Sequence, residues 1–201
     1  MKKILPLFSY IFHPIFIAAM ATLFYLFFNT SNLMPEEKLF IFSQVVIITV
    51  IIPILFFAIL RAVGKIDSVM VVDVTQRKIP LILQCFLIIL LVRKSITIDR
   101  YPELHFFFLG ALLSTILALL SLFASIKASL HMMAISALTV FVIAISLHFQ
   151  FQNTFIIAFL ILANGLVASS RIEMNAHTNK ELIIGFGLGS IPQLLLLFLW
   201  L

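Results

Sequence analysis

The 201-residue chain is 63% hydrophobic and only 10% charged, and its mean hydropathy is +1.24. Such a composition cannot cover a water-soluble surface, which excludes a soluble globular protein and makes the lipid bilayer the expected surrounding. The net charge of +5 comes from lysines and arginines placed between apolar segments. They do not form a basic stripe interleaved with aromatic residues, so no nucleic-acid partner is expected.

Apolar segments follow one another along the chain and predict an all-α integral membrane protein, a bundle of about seven (six to seven) transmembrane helices. A helix needs about 20 apolar residues to cross a hydrocarbon core of about 30 Å. In chain order, the candidate segments are residues 4–28, 39–61, 79–93, 105–126, 128–149, 153–169 and 182–201. Nothing in the pattern divides them, so a single domain over 1–201 is expected.

The third segment is the shortest of the seven. Its fifteen residues give only about 22 Å of helix at about 1.5 Å per residue, which suits either a short span or a re-entrant piece. Pro14 and Pro53 lie inside the first two segments and predict kinks there.

Polar residues interrupt the apolar pattern in three clusters. They are Asp73, Arg77 and Lys78 before the third segment, Lys127, Ser129 and His131 at the start of the fifth, and Arg171, His177 and Glu181 before the seventh. Successive clusters are separated by one span out and one span back. If all seven segments cross, parity therefore predicts that the three clusters meet at one face of the membrane.

These residue types suit phosphate chemistry. Lysine and arginine bind a phosphate dianion through charge-assisted hydrogen bonds. A neutral histidine can attack phosphorus while a second, protonated histidine gives its proton to the departing alkoxide. Glu181 follows His177 by four residues, which on a continuous helix places its carboxylate beside the ring. No set of ligands in the clusters has metal-binding spacing, so neither a metal nor another cofactor is expected.

Two of the clusters resemble signatures of a known family. The string SRIEMNAHTNKE over residues 170–181 is similar to SRxxxxxHxxxD, the third signature of the type 2 phosphatidic acid phosphatase superfamily. ASLH over 128–131 resembles the second signature, PSGH. The first signature, KxxxxxxRP, is met only in part by DVTQRKIP over 73–80, because Val72 stands where its lysine would be. The resemblance covers about residues 73–195 and leaves two additional N-terminal helices, over 1–61, outside it.

The resemblance implies a metal-independent lipid phosphatase that works through a phosphohistidine. His177 would be the nucleophile and His131 the general acid, and Glu181 would take the place of the family's aspartate. Arg171 and Ser129 would bind the phosphate, together with Arg77 and Lys78 of the incomplete first signature. Lys127 lies outside the signatures, but its position four residues before His131 would let it supply the missing charge.

Several substrates agree with this resemblance: phosphatidic acid, phosphatidylglycerol phosphate, isoprenoid diphosphates such as undecaprenyl diphosphate, and phosphorylated lipid A. The alternative is a catalytically silent protein on the same fold that binds or transports a lipid phosphate. Loss of the first-signature lysine favours this alternative, whereas retention of both histidines speaks against it. His13, His105 and His148 are interpreted as structural, and Gly185, Gly187 and Gly189 as residues that allow close packing of the last helix.

The distribution of positive charge bears on orientation. The face that would carry the clusters has nine lysines and arginines, against four on the opposite face. The positive-inside rule then places the clusters at the cytoplasmic face. Subtracting the four proposed phosphate ligands leaves five against four, so the assignment depends on those ligands. The compact size and short loops are typical of a protein of the bacterial inner membrane.

Overall fold

The computed structural model describes residues 4–28, 33–65 and 75–201, and throughout these ranges the regular structure is helical, with no strand. Within them, five helices are long and apolar enough to cross a membrane, and a bent pair of shorter helices is a sixth candidate. The prediction of an all-α fold of long apolar helices is confirmed. Asp73 of the first cluster and the neighbouring Val72 lie outside the described residues.

The helix boundaries agree with the apolar segments to within a few residues. In chain order the helices are α1 Leu5–Ile11, α2 Pro14–Phe28, α3 Pro35–Val46, α4 Ile52–Ala62, α5 Lys78–Lys94, α6 Pro102–Phe123, α7 Leu130–His148, α8 Thr154–Glu173 and α9 Asn179–Leu197. The short third segment forms α5, a helix of 17 residues. At a rise of about 1.5 Å per residue it is about 25 Å long, close to the thickness of a hydrocarbon core.

The first apolar segment is broken in the structure, although the sequence predicts only a kink. Helices α1 and α2 meet at 64° on either side of His13. A residue before proline is disfavoured in the α conformation, and Pro14 begins α2, where its missing N–H costs nothing. The chain therefore turns sharply at His13.

The second proline is accommodated without a break. Helices α3 and α4 form one continuous stretch, Pro35–Ala62, through a π-helical turn at Ile47–Ile51. Proline clashes with the carbonyl of the fourth residue before it, and a π turn loosens the hydrogen-bond ladder at that point. The turn directly precedes Pro53, which explains its position.

Helix α7 lies at the centre of the bundle, packed against α2, α8 and α9, and most of its residues are buried. Helix α9 approaches it closely at two glycines. A Cβ atom at Gly185 would collide with the Ser129 carbonyl, and one at Gly189 with the Met133 carbonyl. The expected packing role is thus confirmed for these two, whereas Gly187 meets only Ile191 of its own helix.

Candidate functional site

The connection between α8 and α9 is a tight turn that positions Arg171 and His177. Helix α8 ends in a Schellman motif, in which the Ala176 N–H donates to the Arg171 carbonyl (3.0 Å) and the Asn175 N–H to the Ile172 carbonyl (2.9 Å). Asn175 has the left-handed conformation that this motif requires, with φ of 51°. Arg171 thus lies in the last turn of α8, and His177 directly precedes the N-cap residue of α9.

A capping box at the start of α9 holds the His177 ring. The Thr178 hydroxyl accepts from the Glu181 N–H (3.4 Å), and Glu181 Oε2 accepts from the Thr178 N–H (3.3 Å). The same Oε2 accepts a 2.7 Å hydrogen bond from His177 Nδ1. The expected contact between His177 and Glu181 is present, but the cap forms it, because His177 precedes the helix. With Nδ1 donating to the carboxylate, a neutral His177 carries its lone pair on Nε2.

Burial lowers the pKa of His177 to about 4. The hydrogen bond to Glu181 acts in the opposite direction, while the positive charges of Arg77, Arg171 and Lys127 lower the pKa further. His177 is therefore neutral at physiological pH, which is the protonation state that a nucleophilic imidazole needs.

The second motif histidine is held by the N-terminal helix. His131 Nε2 donates to the Ser9 carbonyl at 3.2 Å, since a carbonyl oxygen can only accept. The His131 ring meets the His13 ring edge to face, with centroids 5.1 Å apart and an interplanar angle of 89°. Helix α1 is itself fixed to α8 by a 2.6 Å hydrogen bond between the Ser9 and Ser170 hydroxyls.

These groups surround one cavity of about 180 Å³, whose polar lining residues include His13, Arg77, His131, Arg171 and His177. From this polar end the cavity continues between apolar side chains. Leu81 and Ile88 of α5 both line it, and seven residues of helix separate them by about 10 Å along the axis. Phe107 and Phe108 of α6 also contribute to the apolar part. A charged group and an attached hydrocarbon chain therefore have adjoining compartments.

Arg171 is the least compensated charge in this cavity. Its side chain is buried, with 3% of the residue exposed, and to the described residues it makes one hydrogen bond, a 3.7 Å contact from Nη1 to Met174 Sδ. The Nε–H has no acceptor, and among the described residues Arg171 has no ion pair with a carboxylate. Burying an unpaired charge is costly. An anion bound in the cavity would offset that cost.

Three of the predicted phosphate ligands do not line the cavity. The Lys127 ammonium donates to the Ala176 carbonyl (3.0 Å), the Ser129 hydroxyl caps α7 by accepting from the Met132 N–H (3.4 Å), and Lys78 lies 5.0 Å from the centroid of the Phe123 ring. Arg77 does line it, with Nη1 donating to the Ala128 carbonyl at 3.3 Å. A 3.1 Å hydrogen bond from the Ser129 N–H to the Glu181 carbonyl joins the second and third motifs.

His13 lines the cavity, although the sequence alone indicates a structural role for this residue. The sequence feature that points to a functional role is the position of His13 directly before Pro14, where a polar ring interrupts an apolar segment. The other two histidines make the local contacts of structural residues. His148 Nε2 lies 3.3 Å from Glu103 Oε1, and His105 Nδ1 donates to the Ile96 carbonyl at 2.6 Å.

Comparison of the chain with protein families, curated proteins and solved structures gives no match. Among the described residues, no group of three or more His, Cys, Asp or Glu side chains is placed to hold a metal ion. The site is defined by its own geometry: a buried cavity lined by Arg171, which has no ion pair with any described carboxylate, and by a neutral His177 that Glu181 aligns.

Proposed function

We propose that the chain is an integral membrane protein with seven spans that hydrolyses a lipid phosphate or diphosphate without a metal, as the type 2 phosphatidic acid phosphatase superfamily does. The seven spans are the broken pair α1–α2, the continuous pair α3–α4, and α5 to α9. The observation that carries the proposal is the 2.7 Å hydrogen bond that orients a neutral His177 at the cavity lined by the buried Arg171, which has no ion pair with a carboxylate in the described part of the chain. Candidate substrates are phosphatidic acid, phosphatidylglycerol phosphate and the undecaprenyl diphosphate class.

The reaction would proceed in two steps. The His177 Nε2 lone pair forms a bond to phosphorus while the bond from phosphorus to the lipid oxygen breaks, and Arg171 stabilises the phosphoryl charge. His131 enters this step as the imidazolium, whose Nε2–H donates to the Ser9 carbonyl. The lipid oxygen takes the second proton, from Nδ1, which leaves His131 neutral. Water then gives a proton to His131 and attacks phosphorus, which releases phosphate and restores His177. Glu181 stabilises the His177 imidazolium in both steps.

The lipid would enter sideways from the bilayer, with its chain along the apolar part of the cavity between α5 and α6. We propose a bacterial inner membrane, which the compact size and short loops favour, with the polar end of the cavity toward the cytoplasm, as the positive-inside rule predicts. The phosphate ligands in this proposal are Arg77 and Arg171. Lys127 supports the site from outside through the Ala176 carbonyl.

The test is a trapping experiment with purified protein in nanodiscs. Wild-type protein should release phosphate from a labelled lipid phosphate in the presence of EDTA, should be inhibited by vanadate, and should form an acid-labile phosphoenzyme. His177→Ala should lose both turnover and phosphoenzyme, whereas His105→Ala, at a ring outside the cavity, should keep both. A strict requirement for Mg²⁺, or a phosphoenzyme that persists in His177→Ala, would contradict the proposal.

One observation favours a second candidate, a silent binder or transporter of lipid phosphates. Val72 replaces the first-signature lysine, and Lys78 and Lys127 do not line the cavity to replace it. Under this alternative, wild-type protein would bind the lipid without releasing phosphate, and His177→Ala would bind equally well.

A further inference from the structure

His13 carries a hydrogen-bond donor that the proposed reaction leaves unused. Its Nδ1 accepts from the Ile15 N–H at 3.3 Å, so a neutral His13 carries its proton on Nε2. No acceptor among the described residues takes this proton, and the ring lines the cavity. Nδ1 has a structural task, the cap of α2, whereas Nε2–H is free to meet a ligand.

The donor lies next to the proposed proton-transfer residue. The His13 and His131 rings are in edge-to-face contact at 5.1 Å, and His131 uses Nε2 for the Ser9 carbonyl. Any group beside this pair lies on the lipid side of the phosphoryl group that His177 attacks, because His131 acts on the leaving oxygen. In a lipid monophosphate that position holds an ester oxygen and carbon. In a lipid diphosphate it holds a second phosphoryl group.

The charge of the cavity also suits an anion with more than one phosphoryl group. Two arginines and three histidines line it, and no aspartate or glutamate is among the described lining residues. Arg171 and His177 account for one phosphoryl group. A diphosphate has additional oxygen acceptors for His13, and hydrogen bonds to charged acceptors are stronger than those to neutral ones.

We propose that His13 Nε2 donates to the inner phosphoryl group of a lipid diphosphate and makes this class the preferred substrate, an inference that rests on the proposed phosphatase function. The outer phosphorus bonds to His177 Nε2 while its bond to the bridging oxygen breaks. The electron pair leaves on the lipid monophosphate, whose added charge His13 stabilises. A phosphate monoester takes up its last proton with a pKa of about 6, so this group departs with little help from an acid.

The test compares a polyprenyl diphosphate with the polyprenyl monophosphate of the same chain length. His13→Asn keeps an acceptor for the Ile15 N–H but is too short to replace Nε2, whereas His13→Gln returns a donor near the Nε2 position. For His13→Asn, kcat/KM on the diphosphate should fall about 10- to 100-fold, as for the loss of a hydrogen bond to a charged group, and this loss should be clearly larger than the loss on the monophosphate. His13→Gln should recover much of the loss. Equal losses on both substrates would overturn the inference and leave His13 a structural cap.

A binding measurement separates this inference from the proposed function. In competition experiments, wild-type protein should bind inorganic pyrophosphate more tightly than orthophosphate, and His13→Asn should lose that preference. This result without any turnover would refute the phosphatase while supporting the diphosphate site. Turnover of lipid phosphates together with equal affinity for pyrophosphate and orthophosphate would support the phosphatase and refute the diphosphate site. Absence of both turnover and binding would refute both.

Discussion

His177 receives opposing electrostatic influences from two neighbours. The hydrogen bond to Glu181 raises its pKa, and the positive charge of Lys127 lowers it. Glu181→Gln should therefore lower the His177 pKa below about 4, and Lys127→Gln, which can still donate to the Ala176 carbonyl, should raise it. Titration of labelled histidine by NMR would measure both, with His105 as the internal control. Shifts of the same sign in the two variants would contradict the assigned geometry.

The lowered pKa also has a consequence for stability. Free histidine has a pKa of about 6.5, and in the folded protein His177 has one of about 4. Between these values the unfolded chain binds more protons, so stability rises with pH from 4 to 6.5 and falls on acidification through the same window. His177→Gln should weaken this dependence in thermal unfolding followed at several pH values. An unchanged dependence would show that His177 titrates normally.

The loss of hydrolysis rate in His131→Ala should be larger for substrates with poorer leaving groups. In the proposed mechanism, His131→Ala removes only the proton donated to the departing oxygen, a contribution of roughly 10²- to 10⁴-fold in general acid catalysis. Hydrolysis of a lipid monophosphate should slow accordingly, whereas p-nitrophenyl phosphate, whose leaving group needs no proton, should be largely spared. Steady-state rates on the two substrates measure the ratio. A uniform loss on both would assign His131 to phosphate binding.

At the scale of the helices, α9 offers a matched pair of glycines. Gly189→Ala would place a Cβ against the Met133 carbonyl and the Ser136 hydroxyl, so α7 and α9 must separate. Overpacking of this kind costs about 1–3 kcal/mol. Gly187→Ala meets only Ile191 at 3.7 Å and should be neutral or, through helix propensity, stabilising by up to about 1 kcal/mol. Thermal unfolding of the two variants measures the difference, and equal stabilities would contradict the packing described.

The helices were predictable because their lengths are set by apolar composition, which is local. The break at His13 was not, because Pro14 alone indicates either a kink or a break, and the packing of α1 on α8 accompanies the 64° turn. The same limit applies within the site. From the sequence alone, each of two polar groups could bind either a ligand or the backbone: the Ser129 hydroxyl and the Lys127 ammonium. In the structure both form hydrogen bonds with backbone groups. The four-residue spacing predicts the contact of His177 with Glu181, but the capping box forms it and not the continuous helix on which that prediction rests.

For the whole molecule, orientation follows from the proposed seven spans. Two single-cysteine variants test it, Met34→Cys and Lys65→Cys, each made in a protein whose Cys85 is replaced by serine. In the proposed topology, position 34 is at the membrane face away from the three clusters, and position 65 is at the face that carries them. A membrane-impermeant maleimide should label position 34 in intact cells and position 65 only after lysis, if the site is cytoplasmic. Labelling of position 65 in intact cells would place the site on the outer face. Equal labelling of both positions in intact cells would contradict the proposal that the α3–α4 span, which separates them, crosses the membrane.

The cavity draws its residues from nearly opposite ends of the chain, His13 near the start and His177 near the end. Synthesis proceeds from the N-terminus, so under the proposed seven spans the first span, α1–α2, is followed by four more, α3–α4, α5, α6 and α7, before α8 and the His177 loop can join it. Until that point the nascent chain holds His13, Arg77 and His131 of the cavity, but neither Arg171 nor the proposed nucleophile His177. The proposed reaction can therefore begin only when the bundle is almost complete.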